Sequence, residues 1–210
     1  MSDKAWGATI KSREEKFELK RRALLNTAAS LFRTKGVENT SLGDIAVELN
    51  ISKPTVYYYF ANKDQVLLAL VETGIAEFLD RSKYPEDFPL VEGLSGADQL
   101  ERFLRRALRI LFFGELGGDA ASWLARNFEG EQRVLFVAAQ RPFDEMGETI
   151  LQAGFDDGSL ERSHIAMTYR FVIGVLRYIP LWLKDTDLAK EDVAEACVHF
   201  VMRSLRRAAP

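Results

Sequence analysis

TSLGDIAVELNISKPTVYYYFANK, residues 40–63, is the stretch that decides the fold of this chain. Ser41, followed three residues later by Asp44, has the spacing of a capping box that starts a helix. Apolar residues then recur at helical spacing and predict one buried stripe: Leu42, Ile45, Ala46 and Leu49. Asn50 tolerates the left-handed backbone of a sharp turn, and Ser52 is placed to cap a second helix. The stretch therefore predicts two short helices that meet at a tight turn.

The second helix carries three consecutive tyrosines, Tyr57, Tyr58 and Tyr59, beside Lys53 and Thr55. Tyrosine rings are seldom left fully in solvent, so an exposed run of three is unusual. If this helix enters a DNA major groove, its backbone N–H groups and these polar side chains are available to phosphates and base edges. The alternative is an ordinary helical hairpin that uses the tyrosines as a packing face.

The sequence around this stretch resembles the N-terminal domain of the TetR family of transcriptional regulators, over about Arg13 to Leu70. The matching pieces are Ala28-Ala29, Leu31-Phe32, Gly36, Thr40-Ser41-Leu42, Asp44-Ile45-Ala46, Ile51–Phe60 and Asn62-Lys63-Asp64. The resemblance implies an all-α protein of about nine helices. It would have an N-terminal three-helix helix-turn-helix domain and a C-terminal helical domain for ligand binding and dimerisation.

The resemblance also implies which residues meet DNA. Positions that contact phosphates are matched by Thr55, Tyr57 and Lys63, and positions near base edges by Lys53, Pro54 and Tyr58. The full predicted set is Thr40, Ser41, Lys53, Pro54, Thr55, Tyr57, Tyr58, Tyr59 and Lys63. Four positions depart from the usual family pattern and leave the operator sequence open, namely Gly43, Asn50, Pro54 and Tyr59.

Charge is unevenly distributed along the chain, whose formal net charge is −3. Residues 1–62 carry 10 Lys/Arg against 7 Asp/Glu, whereas the remainder carries 18 against 24. A mildly basic head on an acidic body is typical of a DNA-binding module joined to something else. We expect a mobile arm at 1–12, a DNA-binding domain at 13–74 with its helix-turn-helix at about 41–60, and a ligand-binding and dimerisation domain at 75–210.

The single cysteine, Cys197, excludes an intrachain disulfide and favours a reducing compartment. The N-terminus lacks the apolar core of a signal peptide. The most apolar stretch, 171–183, contains Arg177 and Pro180 and is shorter than the ~20 residues that a membrane-spanning helix needs. We therefore expect a cytoplasmic protein without a membrane partner.

The C-terminal part is rich in large rings around Pro142, and apolar cavities between helices commonly bind small molecules. The resemblance likewise implies an inducer-binding domain here. The predicted ligand-binding residues are Phe103, Phe112, Trp123, Phe128, Phe136, Phe143, Met146, Tyr169, Arg177 and Tyr178. For any single ring, the alternative is a place in the ordinary core.

The last two predicted helices, from Ser163 to about Leu183 and from about Lys190 to Arg207, have wider apolar surfaces than one neighbour would cover. Such a pair favours a self-complementary four-helix interface between two copies of the chain, which the resemblance also implies. The predicted interface residues are Ile165, Val172, Leu176, Val193, Cys197, Phe200 and Val201. The alternative is a deeper core within one copy.

No catalytic or metal-binding pattern stands out, because His164 and His199 lie far apart and lack the spacing of metal ligands. We expect no enzyme activity, no metal and no cofactor. The predicted function is that of a ligand-responsive transcriptional regulator. It would be a repressor that binds a palindromic DNA operator as a homodimer and is released by a small, largely apolar molecule. Two other classes stay open: a helical enzyme or carrier, and a DNA-binding protein that takes no ligand.

Overall fold

A computed structural model describes residues 12–82, 85–113, 118–183 and 185–206. The regular elements of these ranges are helices, with no β-strand among them, so the predicted all-α fold is confirmed. The α-helices are α1 (Arg13–Lys35), α2 (Leu42–Glu48), α3 (Lys53–Tyr59), α4 (Lys63–Leu79), α5 (Gly96–Phe113), α6 (Gly118–Asn127), α7 (Gly130–Asp156), α8 (Ile165–Leu183) and α9 (Lys190–Leu205), with a 3-10 helix at Pro85–Asp87. The predicted N-terminal arm lies outside the described residues, except for Ser12.

The chain divides into two compact units, Met1–Val66 and Leu67–Pro210. The division falls inside α4, and the predicted domain boundary after residue 74 lies further along the same helix. The roles of the two predicted domains, DNA binding for one and ligand binding and dimerisation for the other, stay predictions.

The first unit is built on α1, whose two ends are set by local signals. At its start, Ser12 Oγ accepts a hydrogen bond from the Glu15 N–H, and the Glu15 carboxylate accepts one from the Ser12 N–H. At its end, Gly36 has a φ of 84°, a value that favours glycine, and the helix stops there. The buried side chains of this unit come from three helices: Leu24, Leu25, Ala28, Ala29, Leu31 and Phe32 from α1, Leu42, Ile45 and Ala46 from α2, and Val56 from α3.

Asn50 shapes the turn between α2 and α3. Its φ of 52° lies in the left-handed region, as the sequence predicted. The Asn50 N–H donates to the Val47 carbonyl at 3.0 Å, and the Ile51 N–H donates to the Ala46 carbonyl at 2.9 Å. This pair of bonds closes a helix end in the Schellman arrangement and satisfies two carbonyls that would otherwise lack partners. The chain thus leaves α2 in one defined direction.

The side chains at the starts of the next two helices, α3 and α4, make different kinds of hydrogen bond. Ser52 stands at the N-cap of α3, but its hydroxyl lies 2.8 Å from Thr55 Oγ1 and does not bond to the backbone. At the start of α4, Asn62 Oδ1 accepts from the Gln65 N–H at 2.9 Å and so caps the helix. The Gln65 amide oxygen accepts from Ala61 instead of Asn62, so the reciprocal bond is displaced by one residue.

The second unit packs α5 to α9 around one hydrophobic core. Two glycines allow α5 and α7 to approach closely, because a Cβ on Gly96 would lie 2.1 Å from the backbone nitrogen of Gly154. Pro142 lies inside α7, and the helix continues through it. The core that results holds Leu100, Phe103, Leu104, Leu108, Ile150 and Leu151 at no more than 1% exposure.

Arg106 is a fully buried arginine that binds the C-terminal end of α4. Its guanidinium donates to the carbonyl oxygens of Phe78 (2.6 Å), Glu77 (3.2 Å) and Asp80 (2.6 Å). The carbonyls at a helix C-terminus lack partners within the helix and carry partial negative charge. Arg106 therefore fastens the end of α4 to α5 from within the core.

We expect the Arg106→Met substitution to lower the free energy of unfolding by at least ~2 kcal/mol, because each buried polar group left without a partner costs about 1–3 kcal/mol. The neighbouring Arg105 provides a matched control. Its ion pairs with Glu101 and Glu195 lie at the surface, so Arg105→Met should cost at most ~1 kcal/mol. Urea denaturation followed by circular dichroism measures both. Equal losses in the two variants would contradict the role given to Arg106.

Candidate DNA-binding surface and effector cavity

The exposed face of α3 carries the polar side chains that the sequence singled out. Val56 and Phe60 are buried, whereas Tyr57 and Tyr58 are 55% and 66% exposed. Lys53 is also exposed. Within the described residues, the hydroxyls of Tyr57 and Tyr58 make no hydrogen bond, so both are available to a partner. The burial of one side of this short helix thus leaves a hydrogen-bonding surface on the other.

Aromatic contacts hold the C-terminal end of this surface. The Phe17 ring on α1 packs against Tyr59, with ring centroids 4.7 Å apart, and against Tyr58 at 5.9 Å. Tyr58 and Tyr59 are themselves in edge-to-face contact at 5.1 Å. Such pairs contribute roughly 0.5–1.5 kcal/mol beyond their area burial. Tyr59 is only half-exposed as a result, and Tyr58 is held by one edge while most of its ring faces solvent.

Lys53 lies across a gap that a glycine leaves open. A Cβ on Gly43 would lie 2.9 Å from Lys53 Cε and 3.2 Å from its Nζ. The first turn of α2 thus lacks a side chain at this point, and the lysine ammonium of α3 occupies the space. Ser41 Oγ would lie 3.3 Å from the same Cβ, and the Ser41 hydroxyl donates to Asp44 at 2.6 Å.

Two predicted DNA contacts hold the protein together internally. Thr40 is 2% exposed, and its hydroxyl donates to the Gly36 carbonyl at 2.8 Å. Lys63 is half-buried, and its ammonium donates to the Val37 carbonyl at 2.9 Å. The Thr40 hydroxyl is therefore turned away from any external partner. Lys63 keeps further N–H donors, because an ammonium has three.

A cavity of about 120 Å³ lies within the second unit. Most of its wall is aliphatic or phenyl: Leu70, Val71, Ile75, Phe78, Ala107, Ile110, Leu111, Ala121, Phe143, Ile173 and Leu176. The polar side chains at its wall are Ser122, Gln140 and Arg177. The Ser122 hydroxyl is already used, because it donates to the Arg177 carbonyl at 2.9 Å.

Arg177 is the charged group of this cavity, and its surroundings neutralise it incompletely. Its Nη2 donates to Gln140 Oε1, a neutral amide, and lies 3.9 Å from Asp144 Oδ1. That carboxylate oxygen already accepts the Tyr169 hydroxyl at 2.7 Å. Burial lowers the pKa of the Arg177 guanidinium, and the attraction of Asp144 opposes that shift. For the two acidic groups burial acts in the opposite direction, because it raises the pKa of Asp144 and of Tyr169.

Most of the rings predicted to bind a ligand lie elsewhere. Of the predicted set, the cavity wall includes Phe143 and Arg177. Core or half-buried positions that do not line the cavity hold Phe103, Phe112, Trp123, Phe128, Phe136, Met146 and Tyr169, while Tyr178 is 64% exposed on the outer side of α8. The sequence missed Gln140 and Ser122, since no local pattern marks a polar residue that faces a cavity.

The predicted dimer residues likewise divide between two sides of α8 and α9. The chain's own core buries Val172, Leu176, Val193, Cys197 and Val201, and Ile165 is half-buried against it. Phe200 is exposed, and on α8 it is Met167, Phe171 and Tyr178 that face outward. An outer groove of about 500 Å³ lies along these two helices, and its lining includes Met167, Phe171, Val175 and Phe200. Met167, Phe171 and Tyr178 are spaced four and seven residues apart. This helical spacing marks the outward stripe of α8, but the prediction of interface residues did not use it.

Cys197 illustrates this inward side. It is buried, and burial raises the pKa of its thiol to about 11.

In the described part of the chain, no group of three or more His, Cys, Asp or Glu side chains is placed to hold a metal ion. No described helix is both long and apolar enough to cross a membrane.

Two protein-family profiles match the chain. The profile described as "Bacterial regulatory proteins, tetR family" matches residues 24–70, and the profile described as "Tetracyclin repressor-like, C-terminal domain" matches residues 93–205. The second match alone covers more than half of the chain.

Similar proteins are known by sequence and by structure. The HTH-type transcriptional regulator EthR of Mycolicibacterium smegmatis is 35% identical over 100 residues, which are 48% of this chain and 42% of that protein. IcaR of Staphylococcus epidermidis, a negative transcriptional regulator of the biofilm operon icaADBC, is 35% identical over 57 residues, 27% of this chain and 31% of its own. The chain thus covers less than half the length of both relatives.

Among solved structures, AibR in complex with isovaleryl coenzyme A and operator DNA has a similar fold. It is 21% identical, with a TM-score of 0.67 over 86% of this chain and 97% of that one. At this level of identity the likeness concerns the fold alone.

We expect Cys197 in the native protein to resist alkylation by iodoacetamide at pH 8. With a pKa of about 11, only about one thiol in a thousand is ionised at that pH, against about a quarter for an exposed cysteine. Reactivity should rise as the pH approaches 11, because the thiolate fraction then grows. Mass spectrometry of native and urea-unfolded samples measures the difference. Equal labelling rates in the two samples would show that the thiol is accessible.

Proposed function

The chain belongs to the TetR family of bacterial regulatory proteins, and from that premise we propose that it is a DNA-binding transcriptional regulator, more specifically a repressor. In this proposal it binds a palindromic operator as a homodimer in the cytoplasm and leaves the DNA when a small, largely apolar molecule occupies the cavity. The observation that carries the proposal is the exposed polar face of α3.

DNA recognition in this proposal depends on α3. Phosphate contacts fix the position of a protein on the duplex, and contacts to base edges specify the sequence. Tyr57 and Thr55 are assigned to phosphates, and Lys53 and Tyr58 to base edges. The fixed turn at Asn50 supports this role, because it presents the same side of the helix in every copy. AibR, which shares the fold, is described in complex with operator DNA.

Homodimer formation in this proposal uses the outward side of α8 and α9. Phe171 and Phe200 are 69% and 62% exposed, and both line the outer groove. Large contiguous apolar patches are rare on the surface of monomeric soluble proteins, and where they occur they commonly mark a protein interface. A two-fold axis would present two copies of α3 to half-sites ~34–36 Å apart, one turn of the duplex.

Repression and release complete the proposal. The name of IcaR describes a negative regulator, and AibR is described with a bound acyl thioester of coenzyme A. In this chain the cavity between α4, α5, α7 and α8 is the proposed effector site. A ligand that binds better to the DNA-free state weakens DNA binding, and DNA weakens ligand binding by the same factor.

The first test of this function is operator binding. After selection of genomic fragments with the purified protein, fluorescence anisotropy should show that Tyr57→Ala weakens binding to specific and random DNA alike, since its hydroxyl is assigned to phosphate. Lys53→Ala should weaken the selected site more than random DNA, because Lys53 is assigned to base edges.

Arg141→Ala is the charge-matched control for Lys53→Ala, because Arg141 is highly exposed on α7. It should leave operator affinity unchanged. If the selection yields no enriched sequence, or if Tyr57→Ala and Lys53→Ala both bind like the parent protein, the assignment of α3 to DNA is wrong.

The second test is the oligomeric state. Phe171→Glu places a charge in the proposed interface and should convert a dimer into a monomer, measured as mass by sedimentation equilibrium. Val134→Glu on α7 is the matched control, because Val134 is 66% exposed and Phe171 is 69% exposed. A monomeric parent protein, or a dimer that survives Phe171→Glu, would contradict the proposed interface.

A further inference from the structure

The cavity of the second unit combines an apolar wall with one cationic group. Its lining is almost wholly aliphatic or phenyl, and Arg177 is the charged residue that borders it. Arginine cannot lose its proton in a protein, so the cavity keeps a positive charge at every physiological pH. The Arg177 side chain is 32% exposed, so it is partly screened from bulk water, and an anion beside it would offset the hydration that it has lost.

The protein supplies that compensation only in part. Of the five N–H donors of a guanidinium, one from Arg177 bonds to a described residue, and its acceptor is the uncharged Gln140 amide. The nearest carboxylate oxygen, on Asp144, is 3.9 Å away, beyond hydrogen-bond distance. That same oxygen also accepts the Tyr169 hydroxyl, so Arg177 shares it with another donor. Arg177 therefore retains donors for an anion that enters from the cavity.

The size of the cavity limits the molecule that brings this anion. About 120 Å³ is close to the ~150 Å³ apolar cavities that accept a benzene-sized guest. A phosphate or sulfate ion alone would leave the apolar wall without contacts. The flat, forked guanidinium matches a planar carboxylate, with which it forms two parallel hydrogen bonds.

We propose that this cavity binds a small monocarboxylic acid in its ionised form, with an apolar body about the size of benzene against the aliphatic wall and its carboxylate on Arg177. This inference rests on the proposed effector role of the cavity and adds the chemical class of the effector. Gln140 then acts as the group that holds the guanidinium in place when the cavity is empty.

Isothermal titration calorimetry of the full chain tests the proposal with two carboxylates, benzoate and hexanoate, and with their neutral counterparts, benzamide and hexanamide. At least one carboxylate should bind, and its amide should bind about ten- to a hundred-fold more weakly, since a charge-assisted hydrogen bond is worth that factor. Failure of both carboxylates to bind, or equal affinity for acid and amide, would overturn the proposal.

Two arginines on α8 give a matched pair of variants. Arg177→Met should remove the preference for the acid, whereas Arg170→Met, at an exposed position two turns earlier on the same helix, should keep it. Ala107→Leu should weaken acid and amide together, because Ala107 lines the cavity. Retained preference in Arg177→Met would overturn the assignment of that residue. If Arg177→Met does not fold, the comparison of acid with amide on the parent protein decides the matter.

These measurements contain no DNA and therefore separate the two proposals. A protein that binds benzoate through Arg177 but selects no operator contradicts the proposed regulatory function while supporting the ligand class. A protein that is released from its operator by a neutral compound, with no loss in Arg177→Met, keeps the regulatory function and overturns the ligand class.

Discussion

The burial of Val56, a residue of α3, is the constraint on which the proposed DNA surface depends. A helix as short as Lys53–Tyr59 is not stable alone in water, because nucleation costs more than its few hydrogen bonds return. It exists here because Val56 is wholly buried and because the Asn50 turn delivers the chain at one angle. Residues one position apart on a helix point about 100° apart, so burial of Val56 turns Tyr57 toward solvent. Function at this surface follows from packing on the other side.

Local signals in the sequence were sufficient for the first unit, because the physics that sets helix ends acts over a few residues. Asn50 was predicted correctly, since few residues other than glycine adopt a positive φ cheaply. Ser52 was predicted at the correct position with the wrong bond, because a serine hydroxyl near a helix start has several hydrogen-bond partners of similar energy. The choice between Thr55 Oγ1 and the backbone depends on side-chain geometry that the sequence does not contain.

The second unit shows where such reasoning stops. A helix that is apolar nearly all round, such as α8, has two possible inward stripes, and its own sequence does not decide between them. The prediction chose Val172 and Leu176 for a partner, but the chain buries them itself and leaves Phe171 outward. The same limit applies to the rings, since Phe103 and Phe143 are equivalent by composition. Neighbouring helices place Phe103 in the core and Phe143 at the cavity wall.

Phe78 suggests how occupation of the cavity would reach α4 as a whole. Its ring lines the cavity, while its carbonyl accepts a hydrogen bond from the buried Arg106. Because the last turn of α4 is held at three carbonyls, a ligand that displaces the Phe78 ring cannot simply fray the end of the helix. If the proposed effector binds there, the response that we propose is a shift of α4, which is one helix from Lys63 to Leu79. A full switch from 1:99 to 99:1 would require roughly a 10⁴-fold difference in ligand affinity between the two states. An ion pair with Arg177 that forms in only one position of α8 relative to α4 is the kind of contact that supplies much of such a difference.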